Sequence, residues 1–111
     1  MSKIQIIYDL LNGVLPNKVF YGTNRVDETD EVYPFIVYQE VSNRAVTYAD
    51  NVTFVRIITL QITLVTERKE PTMEELLEEA LMLSGFNYQM VTEYFNEDSS
   101  INRVYEIKME D

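Results

Sequence analysis

One uninterrupted run of strand-forming residues, Phe54–Thr66, constrains this chain more than any other feature. Its β-branched and aromatic content predicts a strand, and its alternation divides it into two faces. Phe54, Arg56, Ile58, Leu60, Ile62 and Leu64 share one face, while Val55, Ile57, Thr59, Gln61, Thr63 and Val65 share the other. The first face is core-like beyond Arg56. The second is half polar and suits solvent or another subunit. At ~3.3 Å per residue the run is about 43 Å long. A globule of 111 residues has a radius of gyration of about 13 Å and a diameter of roughly 34 Å. A straight strand of that length overshoots the globule. It must bend, break at a bulge or project as an arm, and a projecting pair of strands carries open hydrogen-bonding edges that need a partner.

The rest of the chain supplies elements for such a strand to join. Ile4, Ile7, Tyr8, Leu11, Val14 and Leu15 recur at helical spacing. Ser2 and Gln5 fit a capping box before that helix, and Pro16 with Asn17 ends it. Residues 19–21 read as a short strand closed by Gly22, and 24–31 as a polar loop. Residues 35–41 read as a strand with Pro34 at its start, 42–44 as a turn or bulge, and 46–49 as a continuation or a pairing segment. Thr72 and Glu75, preceded by Pro71, suggest a second capping box. In the helix that follows, Met73, Leu76, Leu77, Ala80 and Leu81 form the expected buried stripe, and Glu74, Glu75, Glu78 and Glu79 the wet face; Gly85 stops it. Residues 88–94 and 101–109 read as two strands about a polar turn. The expected order is α-β-β-β-α-β-β in one domain, residues 1–111. This is an α+β fold, with a mainly antiparallel sheet of four to five strands and two helices packed on one face.

Residue types narrow the chemistry. The chain has no His, no Cys and no Trp. A thiol nucleophile, a His general base, a disulfide framework and a Cys/His zinc site are therefore excluded. There is no Gly-rich phosphate loop or nucleophile elbow. No enzymatic activity and no cofactor are expected. The cluster Asp27, Glu28, Asp30 and Glu31 lacks the glycine and alternate spacing of a calcium loop, so it reads as a solvated loop with no metal. The formal charge of -10 and the scattered cations argue against sequence-general DNA binding and against anionic lipid. No signal peptide is read at the N-terminus, and the most apolar stretch is shorter than the ~20 residues of a membrane helix. With no cysteine to report redox state, cytoplasmic synthesis is the default.

Aromatic residues are plentiful, with 8 Tyr and 5 Phe. Tyrosine combines large area with a polar tip and is enriched at interfaces, although any single one here can equally serve sheet packing. Tyr21, Tyr33, Tyr48, Arg44, Arg56 and Gln61 are the candidate subunit contacts. Arg44 and Arg103 are candidate ion-pair anchors to the acidic loops, within the chain or between chains.

The ordered pattern Leu15-Pro16-Asn17-Lys18-Val19-Phe20-Tyr21-Gly22, Tyr33-Pro34-Phe35-Ile36-Val37-Tyr38, Tyr48-Ala49-Asp50-Asn51 and Leu60-Gln61-Ile62-Thr63-Leu64-Val65-Thr66, then a Glu-rich helix and Tyr94-Phe95-Asn96-Glu97-Asp98, spans nearly the whole chain. It resembles the small tail-completion (tail-terminator) proteins of long-tailed, siphovirus-type phages and prophages of Gram-positive bacteria. The resemblance implies an α+β subunit of a ring, typically a hexamer. Such a ring caps the head-proximal end of the tail tube, stops its growth and meets the head-completion or connector protein. It implies a virion tail or neck location after assembly in the host cytoplasm, and DNA that passes without specific binding. No motif fixes functional side chains. An acidic ring would repel DNA from its bore. The candidate lumen or rim acids are Asp27, Glu28, Asp30 and Glu31, or Glu74, Glu75, Glu78 and Glu79, and the sequence does not choose between them. Two other readings stay open: another neck or minor tail protein, and an acidic DNA mimic that blocks a basic groove.

Overall fold

The computed structural model describes residues 3–22, 33–47 and 54–110. The elements run α1 (Lys3–Val14), β1 (Val19–Tyr21), β2 (Phe35–Thr47), β3 (Phe54–Thr66), α2 (Pro71–Leu83), β4 (Asn87–Phe95) and β5 (Ile101–Glu110). One five-stranded sheet has the order β1-β2-β3-β5-β4. β2, β3, β5 and β4 pair antiparallel, whereas β1 pairs with β2 in parallel. The fold is α+β with a mainly antiparallel sheet, as the sequence predicts, and the parallel β1–β2 pair makes that sheet mixed.

The overlong strand is real. β3 runs unbroken and pairs with β2 from Phe35↔Val65 to Thr47↔Phe54. The irregularity falls on β2, where Val41 is squeezed out between Glu40 and Ser42. That bulge sits one residue before the 42–44 segment and does not end the strand. The two strands project, and the molecule measures 52 × 26 × 26 Å with a radius of gyration of 15.2 Å, against about 13 Å for an average globule of this size.

Both helices lie on one face of the sheet. Ile7 and Leu11 of α1 and Leu77 and Leu81 of α2 join Ile36, Tyr38, Ile58, Leu60, Ile62, Leu64, Tyr105 and Ile107 in one buried cluster. The face of β3 expected to be core-like is therefore the helix face. On the opposite face, among the described residues, Phe35, Val37 and Val65 form a smaller buried cluster, with Phe20 and Tyr33 packed against it.

Helix ends follow local chemistry, with one correction. After α1, Asn17 takes a left-handed φ of 65° and its N–H donates to Asn12 Oδ1 at 3.0 Å. The Ser2 cap lies outside the described residues. α2 does not use Thr72 as its cap. Pro71 is the first helical residue, Glu70 stands at the cap position, and no side chain caps the end. Proline suits that position because its missing N–H would have no partner there. Gly85 ends α2 with φ 83°, as expected.

α2 is also rotated from its expected setting. Leu76 is 50% exposed and Glu74 only 7%. The inward face is Glu74, Leu77, Glu78 and Leu81, the i, i+3, i+4, i+7 set. Only Glu75 and Glu79 of the four glutamates form an exposed face.

Candidate assembly surfaces

The sheet has two unlike lateral edges. On one side β1 pairs only with Ile36, Val37 and Tyr38 of β2. Past Tyr38 no strand among the described residues pairs with the outer edge of β2, and residues 40–45 are exposed. β5 meets β3 only from Ile57 onward, so the end of the β2–β3 arm has neither helix nor third strand beside it among the described residues. On the other side β4 pairs with β5 alone, and seven consecutive residues, 89–95, are exposed.

The helix-free face carries a cleft of about 410 Å³. Phe35, Val37 and Val65 form its apolar floor, Gln61 and Thr63 continue it along β3, and Tyr94 and the 96–100 turn wall one end. Tyr33 stacks on Phe35 with ring centroids 5.7 Å apart. Its hydroxyl donates to Asp98 Oδ2 at 2.6 Å, joining the start of β2 to the β4–β5 turn. Asp98 also accepts from the hydroxyl and the N–H of Ser100, at 2.6 and 3.0 Å. These donors, Ser100's hydroxyl first and Tyr33's second, hold the Asp98 carboxyl down to about 2. The bond to Asp98 in turn raises the Tyr33 phenol. Asn96 donates to Ser100 Oγ and Asn102 Oδ1, and Asn102 donates to the Tyr94 hydroxyl. Tyr33, Tyr94, Asn96, Asp98, Ser100 and Asn102 of the rim are thus bonded to one another. The cleft can accept a side chain or a segment of chain by shape and hydrogen bonding.

The six candidate contact residues divide between surfaces. Tyr33 and Gln61 meet at the cleft. Arg44, opposite Ile57, belongs to the same face farther along the arm; Arg56, opposite Ala45, belongs to the helix face, and both are exposed. Tyr21 is 54% exposed and packs edge-on against Tyr38, centroids 5.0 Å apart. Tyr48 and the acids Asp27, Glu28, Asp30 and Glu31 lie outside the described residues.

A polar network lies beneath α2, and the sequence reading anticipates only its Arg103. Arg103 of β5 donates from Nη2 to Glu78 at 2.9 Å, from Nη1 to Glu93 of β4 at 2.9 Å, and from Nε to the Tyr105 hydroxyl at 2.7 Å. Tyr105 donates to Glu78 at 2.6 Å. Lys69 bridges Glu74 at 3.0 Å and Glu93 at 2.9 Å. The Tyr105 hydroxyl and Arg103 lower the Glu78 carboxyl, and Lys69 and Arg103 lower that of Glu93. Burial, reinforced by Glu78, raises the Tyr105 phenol. Arg103 is an ion-pair anchor as expected, but to helix and strand glutamates. The available signal was the i, i+4 placement of Glu74 and Glu78 beside Leu77 and Leu81.

Among the described residues no group of three or more acidic side chains is placed to hold a metal ion, and no helix is long and apolar enough to cross a membrane. No family model and no curated protein matches the sequence. In structure the chain is similar to a chain of a "Virion of native gene transfer agent (GTA) particle", with a TM-score of 0.53 and 9% identity, covering 95% of this chain and 92% of that one. The likeness is one of fold, and it extends over nearly the whole of both chains.

Proposed function

We propose that this chain is a structural subunit of a phage-like particle. In this reading it is a tail terminator whose ring, a hexamer in the virion, caps the head-proximal end of the tail tube and joins it to the head connector. The 111 residues act as one domain, and the work is done by shape and self-association. The observation that carries the reading is a fold shared over 95% of the chain with a virion component. The projecting β2–β3 arm and the two unlike, partly apolar edges support it, because unlike edges suit head-to-tail contacts that close into rings. The partners are further copies of the chain, the tail tube protein and the head-completion protein. DNA passes without specific binding, repelled by an acidic surface.

Deletion of the coding sequence followed by negative-stain imaging of particles tests this. The expected result is tails of uncontrolled length, or full heads lacking joined tails. Particles of normal form, or labelling of the protein at the distal tail end, would overturn it.

A further inference from the structure

We propose that copies of this chain join by sheet extension, with the outer edge of β4 pairing antiparallel to the outer edge of β2, residues 39–47, in the next copy. The inference deepens the ring reading above and rests on it only for closure of the series.

The exposed apolar surface is concentrated where this contact needs it. Of the ten large exposed hydrophobic side chains among the described residues, seven belong to α2 and β4, among them Met82 at 60%, Leu83 at 74%, Val91 at 50% and Phe95 at 73%. The other three, Ile6, Tyr21 and Val41, lie on α1, β1 and β2 at the opposite edge. Among the described residues the central strands β3 and β5 contribute none. An edge strand left to solvent is usually kept short or guarded by lysine or proline. β4 has nine residues and neither guard. Its one charge, Glu93, is already bound by Lys69 and Arg103. Each edge has a single bulge, at Val41 and at Val91.

Length and direction also agree. Beyond the β1 pairing, β2 offers residues 39–47, a stretch as long as β4. The chain of antiparallel pairings through β3 and β5 makes β4 run opposite to β2 within one sheet. A copy set beside the first in the same orientation therefore meets it as an antiparallel pair, the more stable kind. The edges differ, so each contact leaves one β4 and one β2 edge unused, and the series continues until it closes.

Disulfide trapping tests the pairing cleanly, because the chain has no cysteine. Asn43→Cys and Val91→Cys place thiols at the midpoints of the two edges, and moving the first to position 41 or 45 samples neighbouring registers. β2 and β4 of one molecule are three strand spacings apart, about 14 Å, beyond the ~7 Å a disulfide spans. Oxidation of the double variant near millimolar concentration should give a ladder of monomer multiples, with each single variant giving at most a dimer. Complete dimerisation of Val91→Cys alone would mean a symmetric β4–β4 pair and overturn the proposal. So would the absence of a ladder at all three registers, in variants whose circular dichroism matches the parent. A ladder from a protein missing from the particles would sink the proposed function and leave the pairing intact. A neck protein that does not trap within particles would do the reverse.

Discussion

The Tyr105 hydroxyl donates to Glu78 Oε2 at 2.6 Å, from a residue with no exposed surface. This bond fastens α2 to β5, and Arg103 reaches both partners. Tyr105→Phe removes the donor to Glu78 and the acceptor for Arg103 Nε without opening a cavity. Its expected cost is about 1–3 kcal/mol, that of leaving partly buried polar groups unpaired. Arg103→Ala strips the cation from Glu78 and Glu93 and from the buried Glu74, and should cost more, about 3–5 kcal/mol. Urea unfolding of both variants checks the order.

The same network sets a pH dependence. Glu78 and Glu93 are held below the usual carboxylate range in the folded chain. A depressed carboxyl contributes stability that is fully present above its unfolded value, about 4.3, and is lost as pH falls through the folded one. Glu78→Gln should therefore narrow the gap to the parent between pH 7 and pH 3, through a smaller acid loss in the variant. Parallel denaturant midpoints across that range measure it. An unchanged gap would place Glu78 outside the acid response.

How much of this was legible follows from which signals are local. The alternation of Phe54–Thr66 is local, so the helix face of β3 and its excess length could be read directly. The bulge at Val41 could be placed only to within a residue, because register depends on the partner strand. The parallel pairing of β1 was not legible, since Val19-Phe20-Tyr21 carries no directional signal in three residues. The Arg103–Glu78 bond joins positions 25 apart in sequence and exists only because β5 lies beneath α2. Tyr88, Met90 and Val91 read as ordinary strand residues, and nothing in their composition says that β4 is an edge.

Leu60 and Ile62 are fully buried under the helices. Truncation of either to alanine should cost about 2–5 kcal/mol, the spread reflecting how far the neighbours collapse. Thr63, the residue after Ile62 and on the helix-free face, should tolerate alanine at under about 1 kcal/mol, as a partly exposed position away from the core. Equal losses at Leu60 and Thr63 would mean that both faces of β3 are packed.

Gly85 isolates a backbone effect. At φ 83° a Cβ would meet nothing within 4 Å, so Gly85→Ala adds no clash with neighbours. The left-handed conformation alone should cost about 1–2 kcal/mol. Thermal unfolding should show that loss with an unchanged near-ultraviolet spectrum. No loss would mean that the turn relaxes to another conformation.

Glu75 and Glu79 separate folding from assembly. Both are exposed, and neither enters the Arg103 network. Reversing them to lysine should leave stability within about 0.5 kcal/mol, since such surface charges contribute little. Glu74→Lys, by contrast, sets a cation among Lys69 and Arg103 at a site 7% exposed and should destabilise strongly. A folded Glu75→Lys/Glu79→Lys variant then bears only on what α2 faces in the assembled particle. If this helix lines the DNA path, the reversed charges should hold the genome and slow its ejection, more so at low ionic strength. Ejection at the parental rate across salt concentrations would take α2 out of the bore and leave the acids of the 24–31 segment as the remaining candidates.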